Sequence, residues 1–371
     1  MRTDLSDKFG IEHPIFAFTP SEHVAAAVSR AGGLGVLGCV RFNDPDELEA
    51  ALTWMDENTD GKPYGVDIVM PAEVPTEGTP VDLESLIPAE HRAFVDRTLS
   101  ELGVPPLDTG IEHATGVLGW LHSVARAHVE VALDHRIALI ANALGSPPKD
   151  VIDQAHAKGV PVAALAGAVE HAKRHVANGV DVVIAQGYEA GGHTGEIASM
   201  VLVPEIVDAV GDSAGVLAAG GVGSGRQIAA ALALGASGVW MGSYWLTAAE
   251  YKLGSAAGEG PSAIQKALLS ATSSDTVRTR IFSGKPARLL KTKWTDAWEK
   301  PDAPDPLPMP LQNLLVSDAH QRIVASDDPE VVAMPVGQIV GRMNEIRPVA
   351  DLMADLVNGY ETSVNRLNTL S

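Results

Sequence analysis

Three times in its middle third the chain runs an apolar strand pattern straight into a glycine-rich loop, and no other feature limits the fold as tightly. Residues 180–185 lead into Gln186-Gly187-Tyr188-Glu189-Ala190-Gly191-Gly192-His193-Thr194-Gly195. Residues 215–219 lead into Gly220-Gly221-Val222-Gly223-Ser224-Gly225, and 238–241 lead into Gly242-Ser243. Strand, glycine turn and helix make the parallel βα unit, whose turn lies at the C-terminal end of the strand. Glycine lets backbone amides approach a flat or anionic ligand and adopt positive φ. A neutral imidazole such as that of His193 can accept a proton near pH 7.

The same alternation spans the chain. Candidate strands fall at 15–18, 34–37, 64–70, 137–144, 161–165, 180–185, 215–219 and 238–241. Helical patterns at 22–31, 45–55, 149–158, 168–178 and 225–234 lie between them, several closed by a glycine (Gly32, Gly159, Gly179, Gly235) suited to the left-handed turn that ends a helix. Eight units predict a (β/α)8 TIM barrel. A doubly wound sheet is the competing arrangement. Against it, Gly221-Val222-Gly223-Ser224-Gly225-Arg226 has arginine where a dinucleotide fingerprint has its third glycine.

A barrel needs roughly 250 residues, and the chain has 371. The surplus falls in two places. An insertion at 71–131 begins Pro-rich and turns helical, and a segment at 246–336 follows the eighth strand and carries the strap PDAPDPLPMP. The expected organisation is a barrel over 1–245, a helical lid or substrate segment over 246–336, and a C-terminal helix over 337–371 returning to the barrel. The last barrel helix is expected at 337–358, interrupted near Pro348. Both insertions follow strand C-termini, so both are lid candidates.

Acidic residues number 47 against 27 basic, giving a net charge of −20, which argues against nucleic acid or an anionic membrane as partner. Cys39 is the only cysteine, so no internal disulfide is possible. No apolar stretch has the length of a signal peptide core or a membrane span, and the chain reads as cytoplasmic. No metal-ligand pattern is expected.

In barrels of this kind a phosphate often sits in the loops after the seventh and eighth strands, on backbone amides and a helix N-terminus. Gly220-Gly221 and Gly242-Ser243 fall there. Either pair alone could merely permit a tight turn; both together point to a phosphate-bearing ligand.

The runs AQGYEAGGHTG, LAAGGVGSGRQIAAALALGASGVWMGS, AAAVSRAGGLGVLG and ATSSDTVRTRIFSGKPARLL resemble the FMN-dependent nitronate monooxygenase family, formerly called 2-nitropropane dioxygenases. The resemblance implies FMN, with Gln186 and Gly187 bordering the flavin ring, Gly191 and Gly192 along its edge, and Gly220, Gly221, Gly242 and Ser243 on the phosphate. It implies that His193 faces the substrate, where it could remove an α-proton from a nitroalkane or steady a nitronate. A histidine that only ties down the glycine loop is the plainer alternative. The other eleven histidines, His113, His122 and His171 among them, read as surface or core packing.

Two positions depart from the family. Where it usually has Ala-Pro-Met after the first strand, this chain has Ala17-Phe18-Thr19-Pro20, and Ala17 remains the residue expected at the flavin. Where it usually has asparagine after the third strand, this chain has Asp67, whose ionised carboxylate accepts but cannot donate a hydrogen bond. Six basic residues, Arg278, Arg280, Lys285, Arg288, Lys291 and Lys293, lie together with no acid between them. They read as a solvated face or as a clamp for a diphosphate, with Arg280 and Arg288 as substrate candidates.

The resulting expectation is an FMN-dependent oxidoreductase that oxidises alkyl nitronates with O2 to carbonyl compounds and nitrite. Its partners would be a small-molecule substrate and O2, and it could form a homo-oligomer. The alternative is an FMN-dependent reductase or dehydrogenase using NAD(P)H on an unsaturated acyl thioester, such as a coenzyme A ester. A non-redox phosphate-binding barrel is a third class.

Overall fold

The computed structural model describes residues 1–70, 83–107, 122–253 and 260–370. The start of the expected 71–131 insertion (71–82), its middle (108–121, with His113) and residues 254–259 of the expected lid lie outside the described residues.

Eight parallel strands close into a barrel: β1 (Ile15–Thr19), β2 (Leu34–Gly38), β3 (Tyr64–Asp67), β4 (Ile137–Asn142), β5 (Val162–Ala166), β6 (Val182–Gln186), β8 (Gly215–Ala219) and β9 (Gly238–Met241), with β9 pairing back onto β1. The (β/α)8 expectation is met. Helices α2 (Glu22–Arg30), α3 (Pro45–Asn58), α5 (His122–Leu133), α6 (Lys149–Ala157), α7 (Val169–Ala177), α8 (Ser199–Val210) and α9 (Gly225–Ala233) follow the strands. Strands covered on both faces bury nearly every side chain, which is why they read as unbroken apolar runs.

A helix that the sequence did not suggest, α1 (Asp4–Phe9), precedes the barrel. Its Leu5 and Phe9, with Ile11, join the interior cluster of Phe16, Leu34, Val182 and Leu217, and the Phe9 ring meets Phe16 edge-on at 5.3 Å. This plugs the N-terminal mouth with apolar side chains, each contributing about 1.5–3 kcal/mol on full burial. The opposite mouth is left for the site.

Two strands are shorter than expected. β3 stops at Asp67 and β4 at Asn142, because the Asn142 side chain takes over from the ladder. Its Oδ1 accepts from Met70 N–H (2.8 Å), while Nδ2 donates to the carbonyls of Met70 (3.0 Å) and Gly145 (2.9 Å). The C-terminal helix also differs from expectation. A 3₁₀ turn at Gln338–Arg342 comes first, and α13 (Val349–Asn368) begins directly after Pro348, which starts the helix rather than interrupting it. Proline lacks an N–H that the first turn would leave unbonded in any case. α13 packs between α9 and α2 and completes the helix ring.

Above the C-terminal mouth, β7 (Gly192–His193) leaves the barrel and joins β10 (Thr276–Thr279) and β11 (Ala287–Leu290) in a small antiparallel sheet, with Ala287 opposite His193. The lid also contains α10 (Ala263–Ser270), α11 (Lys293–Ala297) and α12 (Leu311–Ala325). The helix α4 (Ala89–Glu101), from the insertion after β3, shares its core. Phe94, Val95 and Leu99 bury against Trp294, Trp298, Leu315, Val316 and Ile323.

Candidate functional site

A cavity of about 530 Å³ opens at the C-terminal ends of the strands, beneath the lid. Of the residues expected at a cofactor, Asp67, Gln186, Gly191, Gly192, Gly220, Gly221, Gly242 and Ser243 line it, and so does His193. Ala17 and Gly187 do not. Ala17 points outward into the helix layer with Ile15 and Val24, and strand alternation turns its neighbour Phe18 into the cavity instead. Gly187 abuts the start of α8, where an added Cβ would lie 2.5 Å from Ser199 N.

The glycine pair Gly220 (φ +91°) and Gly221 (φ +72°) adopts left-handed backbone, where side chains are disfavoured. The loop then turns into α9, capped by Ser224, whose hydroxyl accepts from Gln227 N–H. The backbone N–H groups of Gly221, Val222 and Ser243 find no acceptor among the described residues. Free amides beside a helix N-terminus suit a phosphate. Ser243 also anchors the cradle, its Oγ accepting from Gly337 N–H at 2.8 Å.

Gly191 is required for a different reason. A Cβ there would lie 2.7 Å from Gly337 N, so the loop carrying His193 can approach the returning chain only as glycine. Gln338 N–H donates to the Glu189 carbonyl at 2.9 Å and locks that approach. Glu189 is held by Ser199 N–H, which donates to its Oε2.

His193 Nε2 lies 2.6 Å from Ser283 Oγ, a fully buried hydroxyl of the lid. Burial, reinforced by the nearby charge of Lys285, lowers the His193 pKa to about 4. The imidazole is neutral at pH 7, and its proton affinity is low. Asp67 is buried with no side-chain hydrogen bond among the described residues, and burial alone pushes its pKa up to about 7. The carboxyl therefore carries a proton over much of the neutral range, and unlike the carboxylate expected from the sequence it can donate as well as accept.

Three arginines of the basic segment, read as a solvated face or a diphosphate clamp, bond within the chain. Arg288 is buried, donates to the Tyr188 carbonyl through Nε (3.2 Å) and Nη2 (3.0 Å) and to Thr276 through Nη1, and stacks over the Tyr188 ring. Arg278 donates to the side chain and carbonyl of Thr194. Arg280 is exposed, and its Nε donates to the Gly284 carbonyl. Neither Arg280 nor Arg288 lines the cavity.

Several lining residues were not singled out from the sequence. Phe18 and Trp240 stack at 6.2 Å across the β1–β9 seam. Arg41 pairs with Glu22 at 2.6 Å. His320, read as packing, lines the cavity with Asn313, Ser317 and Gln321 of α12, a polar row at helical spacing that is visible in LQNLLVSDAHQ. Among the described residues, no cluster of histidine, cysteine and acidic side chains could hold a metal.

The sequence profile of the nitronate monooxygenase family matches residues 2–359. The chain belongs to that family. A protein of Mycobacterium tuberculosis named "Putative monooxygenase Rv1533" is 48% identical over 383 residues, covering 100% of this chain and 99% of its own. Staphylococcus aureus has a "Probable nitronate monooxygenase" 28% identical over 371 residues, covering 95% of this chain and 96% of its own. Among solved structures, nitroalkane oxidase from Streptomyces ansochromogenes superimposes with a TM-score of 0.78 at 26% identity, covering 98% of this chain and 99% of that one. FabK from Thermotoga maritima gives 0.74 at 28% identity with full coverage of both chains. This member of the nitronate monooxygenase family is thus an oxidoreductase, and the family implies a flavoprotein. Among the described residues, no helix is long and apolar enough to cross a membrane.

Proposed function

We propose that the protein binds FMN and oxidises alkyl nitronates with O2 to carbonyl compounds and nitrite. The observation that carries this reading is the neutral, half-buried His193 facing the cavity that the paired glycine loops also line. The residues present fit the cofactor. Gly221, Val222, Ser243 and the N-terminus of α9 would hold the phosphate, while Gln186, Gly191 and Gly192 would border the ring. A protonated Asp67 would face the ring's polar edge with both hydrogen-bonding roles open to it. FMN, when bound, supplies the electron transfer between substrate and O2.

The protein's own contribution is binding, positioning and proton control. A histidine whose pKa is about 4 is a poor base for a neutral nitroalkane, because its proton affinity lies far below the operating pH. It is better suited to a nitronate, which arrives already deprotonated. A neutral imidazole can donate a hydrogen bond to a nitronate oxygen without first being charged. A lid that excluded water would strengthen that interaction. The acyl-thioester alternative rested on the basic lid segment, and its guanidinium groups bond within the lid and to the His193 loop.

The test is direct. Cofactor released by heat should run as FMN, and oxygen should be consumed with an alkyl nitronate in the absence of NAD(P)H. Recovery of FAD, or no flavin after reconstitution, would sink the phosphate assignment. NAD(P)H-driven reduction of an enoyl thioester without oxygen uptake on nitronates would replace the reaction.

A further inference from the structure

Helix α12 divides cleanly into two faces. Leu315, Val316, Ala319 and Ile323 bury against the lid core. Asn313, Ser317, His320 and Gln321 face the cavity. Two atoms on this polar face are buried without a hydrogen-bond partner among the described residues: Asn313 Oδ1 and His320 Nε2. Buried polar atoms are nearly always paired, so two orphans on side chains that line one cavity mark a place where something else completes them. His320 is also held in position. Its ring stacks on Phe282 at 5.2 Å and meets Trp294 edge-on at 6.1 Å. The next residue, Ser283, is the one that contacts His193. Adjacent lid residues therefore fix both cavity histidines.

The chemistry of these atoms restricts the ligand. Burial lowers the His320 pKa to about 4, so the ring is neutral and offers one donor or one acceptor. Asn313 Oδ1 needs a donor. Arg41, the cationic side chain among the described residues that line the cavity, is paired with Glu22 through Nη2 while its buried Nε has no partner among the described residues, and the α12 face carries no charge of its own. A carboxylate or phosphate tail would find no partner there, and a hydroxyl, which donates and accepts at once, matches either atom.

We propose that Asn313 and His320 form a second recognition point, at which the substrate's tail is bound through an uncharged hydroxyl while its reacting end faces His193. This rests on the nitronate reading for the reacting end only. It assigns the substrate class as hydroxyl-bearing alkyl nitronates.

The experiment uses the flavin-loaded protein and three probes of matched length: 1-nitrobutane, 4-nitro-1-butanol and 4-nitrobutanoate. Binding of the neutral nitroalkanes is measured by calorimetry, and kcat/KM with the corresponding nitronates. The expected result is binding of the alcohol about tenfold tighter than the methyl-ended probe, the scale of one or two net hydrogen bonds, with the carboxylate weakest. Asn313→Leu and His320→Leu should each reduce the preference for the alcohol over 1-nitrobutane, and His320→Gln, which keeps a polar end, should restore part of it. Should His320→Leu fail to fold, Asn313→Leu and His320→Gln carry the same comparison. Equal binding of the methyl and hydroxyl probes, tighter binding of the carboxylate, or a preference undiminished both by Asn313→Leu and by the His320 variants would overturn the proposal. A hydroxyl preference in binding with no turnover of any nitronate would sustain the recognition point and refute the proposed reaction.

Discussion

Replacing Asp67 by asparagine should change the pH dependence of stability more than stability itself. The folded carboxyl has its pKa pushed from 3.8 up to about 7 by burial, with no ion pair or side-chain hydrogen bond among the described residues to offset it. A group whose pKa is raised on folding contributes its full stability below the unfolded value and loses it as pH rises through the folded value. For Asp67 that window runs from pH 3.8 to about 7. The difference between its neutral and ionised forms amounts to about 4 kcal/mol across the window. Asparagine is nearly isosteric and cannot ionise. The gap between Asp67→Asn and the parent should therefore be small near pH 4 and grow to about 4 kcal/mol by pH 8, several degrees in melting temperature for a chain of this size. Thermal melts of flavin-free protein in matched buffers from pH 4 to 8 measure it. Flavin affinity provides a second readout, since it should weaken above pH 7 in the parent and stay level in the variant. Melting curves that remain parallel at every pH would refute the reasoning.

His193→Asn should keep its flavin and lose about 10²-fold in nitronate turnover, the usual scale for a displaced hydrogen-bond donor at an anionic oxygen, as read by flavin content and oxygen uptake. Because the His193 pKa is lowered to about 4, the imidazole stays neutral down to that pH, and the parent's acid limb in kcat/KM should lie near 4; a limb at 6.5 would place the histidine in solvent. Arg280→Glu should leave the KM for a nitronate within about twofold, since an exposed charge outside the cavity contributes little. Arg288→Glu should destabilise the fold by about 3 kcal/mol or more by burying an unpaired charge against the Tyr188 carbonyl, a loss that thermal melts would register.

The sequence disclosed the barrel because apolar runs ending in glycine turns have few other uses. It disclosed His193 because a histidine among four glycines has no packing reason to be there. Facing was harder to read. Ala17 and Phe18 lie in a strand covered on both sides, so no polar alternation says which one looks inward. Arg288 looked like one charge among six, and only the register of β11 against β7 reveals that it lies beneath Tyr188. His320 and Asn313 reach the site from a helix far along the chain, which no local pattern connects to the barrel mouth. Asp67 was placed correctly in the cavity, but its protonation depends on a burial that composition does not report.

The pairing of His193 with Ala287 ties the histidine to the cover of the cavity. The strand that positions the histidine is the edge of the sheet that roofs the cavity, and Ser283, its side-chain partner, belongs to the same roof. The imidazole and the hydroxyl that orients it are thus carried by one small sheet and its connecting turn rather than by the barrel. Any displacement of that unit would shift both together, so the position of the histidine and the shape of the cavity above it are set in common.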